Sequence, residues 1–313
     1  MAKALGRLAG EAALFAGRRA GNRSGLRGAL RRTGKIAVID MDETLLTANT
    51  ILEIFKLKFG EAEGTRIIKG YMNLVKKGHC SSDQALLMGY ERIIREGVFV
   101  KDAEALVEKM EKEGKVRADI VEVAGALKAE GKTVVLASRM SETIAGLLAK
   151  RYGFDFGIGT RERIDKNGKV LKVEELVGEK TGFVGLKNAG KKGQARPYRT
   201  ITKLEKVSKV LESAGIPTRP KDMVIVSDGY DDIKAFRQAG VSILLVPSSE
   251  RRGFAQRVSM RLRLADAIVR PGPEMQAELR LRLGNPRTAG MTKRRFRKEL
   301  FKSAGARKQQ RRI

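Results

Sequence analysis

The 313-residue chain contains one histidine (His79), one cysteine (Cys80) and no tryptophan. One imidazole and one thiol cannot build a zinc site, a cysteine-ligated cluster or a disulfide framework. A Ser-His-Asp or Cys-His mechanism would have to use His79 itself, which lies in a polar stretch. The repertoire left is that of carboxylates, hydroxyls, lysines and hard metal ions. No run approaches about 18 consecutive apolar residues, so no membrane-spanning helix is expected. The short apolar run 12–16 is followed by Arg18 and Arg19 and does not read as a signal peptide.

Negative charge is also scarce. There are 64 Lys and Arg residues against 36 Asp and Glu, a net charge of +28. The excess is concentrated at the ends: residues 1–35 hold nine basic residues and one acidic, and residues 286–313 hold eleven and one. Arms of that kind attract polyanions, here RNA or an anionic membrane surface. Residues 1–33 read as a basic N-terminal arm and 284–313 as a tail expected to be disordered until bound. Leu5, Leu8, Ala12 and Phe15 fit one face of a short interfacial helix. The arginine-rich, acid-poor N-terminal arm leaves an organellar transit peptide open beside a cytoplasmic location.

Apolar content, at 42%, suffices for a sizeable core. Four runs carry it as strands: Ile36–Ile39, Thr133–Leu136, Met223–Val226 and Val241–Val246. None alternates apolar with polar, the pattern of parallel strands covered on both faces. The last three each follow a helix-like segment that ends at a glycine (Gly131, Gly215 and Gly240). This is a repeated βα signature. Ala267–Val269 is a weaker fifth strand. About 90 residues between the first two strands read as helices over 51–59, 65–76, 82–95 and 102–112, too many for one crossover. Residues 160–171 read as a hairpin turning at Asn167-Gly168, and 185–200 as a basic loop. The expected fold class is α/β: a doubly wound, mostly parallel, Rossmann-like sheet (34–48 and 131–283) with an inserted helical domain (49–130).

Ligand sites in such sheets lie at the carboxyl ends of the strands. The first strand ends in Asp40-Met41-Asp42-Glu43-Thr44, the second in Ser138, the third in Ser227-Asp228-Gly229-Tyr230-Asp231-Asp232. Carboxylates at two parallel strand ends repel unless a cation lies between them, and an all-oxygen site suits Mg²⁺. Asp40 and Asp42 would share a pocket only if the chain bends after the strand. Taken singly, each residue has a plainer reading. Asp42 and Ser138 are good helix N-caps; Asp231 and Asp232 suit a helix N-terminus; Lys203 suits a solvated surface.

Together, in this order, Asp-Met-Asp-Glu-Thr, Ser138, Lys203 and the acidic segment 227–232 resemble the four motifs of the haloacid-dehalogenase superfamily. The helical insertion resembles the cap of its phosphoserine-phosphatase-like subgroup, and the resemblance spans about residues 34–283. It implies a Mg²⁺-dependent phosphatase working through an aspartyl-phosphate. Asp40 would be the nucleophile and Asp42 the general acid and base. Asp40, Asp228 and the backbone carbonyl of Asp42 would hold the metal. Lys203 would neutralise the phosphoryl charge, Thr44 and Ser138 would hydrogen-bond its oxygens, and Asp232 would orient Lys203 or metal-bound water. Arg139 stands where that subgroup has glycine and would add a cation to the phosphate pocket or contact a larger anionic substrate. Asp231 replaces a common asparagine and would add negative charge near the metal. Asn49 and Gly89 fall where the subgroup carries the glutamate and arginine that read an amino-acid substrate, with Arg92 nearby, so the resemblance stops short of phosphoserine. The alternative is a polyanion-binding protein on a catalytically idle core. Gly185–Lys191 has the spacing of a phosphate-binding P-loop, but Lys192 follows it and no buried strand precedes it, so it reads as surface loop.

Overall fold

The computed structural model describes residues 35–97, 100–129, 131–186, 196–229, 232–245 and 267–269. Both basic arms, the P-loop-like lysines and Asp231 lie outside the described residues. Among the described residues no helix is long and apolar enough to cross a membrane.

β1 (Ile36–Asp40) is the axis of the molecule. It lies between β2 (Thr133–Ser141) and β7 (Met223–Ser227), parallel to both. All five of its residues are buried, as are those of β7 and β8 (Val241–Leu245). Burial on both faces is why these runs are uniformly apolar. β3 (Phe156–Ile164) continues the parallel sheet beyond β2, and β8 and β9 (Ala267–Val269) continue it beyond β7. The chain leaves β1 toward one side and later returns to the other. That arrangement opens a crevice at the carboxyl ends of β2, β1 and β7.

β1 runs into a wide turn, Met41–Leu45, in which Glu43 takes φ 58. Left-handed backbone at a non-glycine residue is a strained way to turn a chain. It swings Asp42 and Thr44 back toward the strand end instead of letting them alternate across the sheet.

The helical insertion leaves and re-enters beside itself. Leu46 and Val116 form an antiparallel bridge, reinforced by the Thr47 amide on the Lys115 carbonyl at 2.7 Å and the Arg117 amide on the Leu45 carbonyl at 2.9 Å. Between them lie α1 (Thr50–Phe59), α2 (Glu61–Lys76), α3 (Ser82–Arg95) and α4 (Val100–Lys112), close to the expected helices. α3 begins with the capping box of Ser81 and Gln84. α5 (Ala118–Ala129) then packs its buried Ile120, Val123, Ala124 and Leu127 in the cluster that holds Ile39 and Leu136 of the sheet. It is the crossover helix into β2, and α6 (Glu142–Tyr152) is the crossover into β3.

The hairpin at Asn167-Gly168 is present: β3 pairs antiparallel with β4 (Val170–Val177), and Gly168 takes φ +80. The expected loop 185–200 needs correction. β5 (Gly182–Leu186) and β6 (Arg196–Ile201) flank it, so its described ends are strand. They pair with each other, and β6 pairs with β4; among the described residues the sheet has nine strands, ordered β5-β6-β4-β3-β2-β1-β7-β8-β9. α7 (Lys203–Ser213) returns the chain to β7, and α8 (Ile233–Gln238) leads to β8.

Candidate active site

The three central strands deliver Asp40, Ser138 and Asp228 to one edge of the sheet. Lys203 comes to them from α7. It is the first residue of that helix, and its side chain is 6% exposed. Its ammonium lies 2.5 Å from Asp40 Oδ1 and 2.7 Å from both carboxylate oxygens of Asp232. The solvated-surface reading of Lys203 therefore fails, while Asp232 does stand at the N-cap of the helix Ile233–Gln238, its carboxylate turned to Lys203 and making no cap hydrogen bond. The Asp232 carboxylate is buried and also accepts a hydrogen bond from Ser227 Oγ at 2.6 Å. Ser227 was not anticipated, although its place at the last residue of an apolar strand was a usable signal.

Burial pushes the Asp40 carboxyl up to about 8, against the opposing pull of Lys203. Asp228 is pushed up to about 9, again chiefly by burial and then by the charges of Asp40, Glu43 and Asp232. Burial also works against the Lys203 ammonium, but Asp232 and Asp40 outweigh it and hold its pKa above the ordinary value. Among the described residues the local sum is short of positive charge: the buried Lys203 serves three buried carboxyl groups, Asp40, Asp228 and Asp232.

That shortage bears on the expected Mg²⁺. Among the described residues no three His, Cys, Asp or Glu side chains are gathered at metal-binding spacing. Mg²⁺ does not require that. It is commonly held by one or two carboxylates, with water and substrate oxygens completing six positions. Asp40 and Asp228, both hard oxygen donors that a dication would allow to ionise, fit it.

Asp42 is oriented from two sides. Its Oδ1 accepts the Thr50 amide at 2.6 Å and its Oδ2 accepts Ser138 Oγ at 3.0 Å. The helix-cap alternative is thus half realised: the carboxylate meets the first amide of α1, while Asn49 is the N-cap proper. Burial is the main reason its pKa is raised, which suits a carboxyl that must carry a proton. Ser138 is buried; its Oγ also accepts the Met140 amide at 2.9 Å.

Two of the expected substrate-binding side chains have partners within the protein. The Thr44 hydroxyl, fully buried, accepts the Asp228 amide at 3.0 Å and lies 3.4 Å from Asp228 Oδ1. Both contacts are to Asp228, which this hydroxyl holds in place. Arg139 turns its guanidinium to the helical insertion: Nη2 lies 2.5 Å from Asp83 Oδ1, Nη1 3.2 Å from Ser82 Oγ, and Nε 3.4 Å from the Val177 carbonyl. Asp83 had no signal in the sequence beyond its place in the first turn of a helix.

Asn49, Gly89 and Arg92 make structural contacts. Asn49 caps α1 through the Leu52 amide. At Gly89 a Cβ would sit 2.7 Å from Ile51 Cδ1. Arg92 lies over the Phe59 ring at 5.3 Å and 3.1 Å from Glu96.

Residues 35–240 match the family model described as haloacid dehalogenase-like hydrolase. No curated protein matches the chain. Among solved structures, a protein with unknown function from Bordetella pertussis Tohama I is 18% identical, with 76% of this chain and 99% of that one covered and a TM-score of 0.54. A HAD family hydrolase from Salmonella enterica serovar Typhi is 14% identical over 75% of this chain and 66% of that one, TM-score 0.53. A probable phosphoserine phosphatase from Vibrio cholerae is 14% identical over 82% and 66%, TM-score 0.51. At such identities the likeness is one of fold.

Proposed function

Because the chain belongs to the haloacid dehalogenase-like hydrolases, we propose that it is a Mg²⁺-dependent phosphatase that cleaves phosphomonoesters of small molecules through an aspartyl-phosphate on Asp40. The observation that carries this reading is the Lys203 ammonium clamped between buried Asp40 and Asp232, beside Asp228 on the adjacent strand. Four charged groups in so little space are costly to bury. Such an arrangement is characteristic of a site tuned for charge transfer.

Asp40 would attack phosphorus with one carboxylate oxygen, and the leaving alkoxide would take a proton from Asp42. Asp42 is suited to that task because burial raises its proton affinity and the Thr50 and Ser138 hydrogen bonds fix its direction. In the second half it would accept a proton from the water that attacks the phosphoryl group. Lys203 would hold Asp40 in line and share the charge of the transferred group, while Asp232 and Ser227 hold Lys203. Ser138 Oγ would bind a phosphoryl oxygen. Asp228, fixed by Thr44, would hold Mg²⁺ with Asp40, and the ion would supply charge neutralisation. The helical unit between Leu46 and Val116 would be the cap, shorter than 49–130 because α5 belongs with the sheet. Asn49 and Gly89 supply neither charge partner of phosphoserine, so the reading stops at phosphomonoesters of small molecules.

The test is hydrolysis of a generic aryl phosphate with Mg²⁺. Wild type should turn over, and Asp40→Asn should lose several orders of magnitude in rate while keeping its fold. An Asp40→Asn protein retaining more than about a tenth of the rate would overturn the assignment.

A further inference from the structure

Arg139 follows Ser138 directly, and its side chain and backbone are fixed at opposite ends. Its carbonyl accepts Thr160 Oγ1 at 2.6 Å, and the same hydroxyl accepts the Val177 amide at 3.0 Å. That ties the segment after Ser138 to β3 and β4. The guanidinium, 11% exposed, reaches out of the core to Ser82 and Asp83 in the first turn of α3.

Asp83 is buried too, and it is held from a third direction. Both of its carboxylate oxygens lie 3.0 Å from the Glu179 amide, in the turn between β4 and β5. The neighbouring Gly178 has no room for a side chain: a Cβ there would lie 2.8 Å from Asp83 Oδ2. The Asp83 carboxylate therefore sits where the helical insertion, the β2 end that carries Ser138, and the added β4–β6 ledge meet. Further along α3, Gln84 Nε2 donates to the Gly185 carbonyl at 2.9 Å, Tyr198 donates to Glu91, and Leu87 and Tyr90 pack with Val173, Leu176 and Tyr198.

An ion pair so largely shielded from solvent adds little net stability over an apolar equivalent, because desolvation offsets much of the attraction. Its strength lies in geometry: a planar guanidinium fork donates to its partners in few orientations. We propose that Arg139 and Asp83 form a latch that seats α3 on the sheet ledge, making Arg139 a positioning residue that couples cap placement to Ser138. The latch sets where the Ser138 hydroxyl meets the phosphoryl group, a role that rests on the phosphatase reading. The seating of α3 does not rest on that reading.

The test uses the full chain with Asp83→Asn, an isosteric change, and Arg139→Lys, which keeps the cation but loses the fork. Hydrogen exchange of the α3 amides is read first. Both variants should exchange α3 faster by roughly tenfold or more, with β1 and β7 amides unchanged. KM for the aryl phosphate and the inhibition constant for inorganic phosphate should rise together by roughly tenfold, with kcat changed much less. The double variant should be no worse than the worse single one. Unchanged α3 exchange overturns the latch whether or not the enzyme turns over. Faster α3 exchange with unaltered KM and phosphate inhibition overturns the coupling to Ser138. A wild type without turnover overturns the phosphatase reading instead, and the exchange data alone then decide the latch.

Discussion

Replacing Lys203 by methionine removes the one buried cation between Asp40 and Asp232 at little change in volume. Breaking a buried pair by deleting one partner costs about 3–5 kcal/mol, because the other charge stays behind. The protein has an escape, which is to bind a proton at the stranded carboxyl. Relative to an ordinary carboxyl of pKa about 3.9, that costs about 5 kcal/mol at pH 7.5 and about 2 kcal/mol at pH 5.5. The loss in stability should therefore be about 3–5 kcal/mol at pH 7.5 and at most about 2 kcal/mol at pH 5.5. The direction follows from linkage. Asp40 is already pushed up to about 8, so the carboxyl left stranded is that of Asp232; the folded variant takes up a proton that the unfolded chain lacks, so its stability is kept at low pH and lost as pH rises. Urea unfolding followed by circular dichroism, in EDTA at both pH values, is the assay. Adding Asp232→Asn to the variant should recover most of the loss at pH 7.5. A loss below about 1 kcal/mol, equal at both pH values, would refute the clamp as the structure draws it.

Three further outcomes are expected. Asp228→Ala should raise the Mg²⁺ concentration needed for half-maximal rate, and superimposable Mg²⁺ titrations would remove Asp228 from the metal site. Thr44→Val keeps the shape but orphans the buried Asp228 amide, so it should cost about 1–3 kcal/mol in urea unfolding; a loss within error would mean that the hydroxyl does not hold Asp228. Glu162, pushed up to about 7 chiefly by burial, accepts a hydrogen bond from Thr143 Oγ1 at 3.2 Å. Its folded-state pKa lies above the unfolded one, so its contribution is full below pH about 4.3 and is lost as pH climbs to 7. Glu162→Gln should remove that decline, and thermal unfolding of both proteins between pH 4 and 8 reads the difference.

The parts of this molecule legible from sequence are those governed by local pattern. The runs at 36–39 and 223–226 announce buried parallel strands because every residue in them is apolar, and Asn167-Gly168 announces its turn through the left-handed φ that glycine supplies. The motif carboxylates were legible because strand ends position them. The β4–β6 ledge was not. β5 and β6 are short, carry Gly182, Gly185 and Pro197, and owe their pairing to each other and to β4, not to an intrinsic preference. The partners of Thr44 and Arg139 were hidden for a different reason. Asp228 is 184 residues from Thr44, and Asp83 is 56 from Arg139. Which hydroxyl or guanidinium faces substrate and which faces a neighbour is decided by the turn at Glu43 and by the seating of α3, and neither leaves a mark in residue spacing. Lys203 shows the converse: its type and rough position were readable, but its burial against two carboxylates was not.

The central claim, that Asp40 carries the phosphoryl group, is tested most directly by trapping. Wild type and Asp40→Asn are mixed with excess aryl phosphate and Mg²⁺, quenched in acid during turnover, digested, and sequenced by tandem mass spectrometry. The account predicts phosphorylation at Asp40 in a fraction of the wild-type molecules, and none in Asp40→Asn. Steady turnover with the phosphoryl group found on another residue would contradict it.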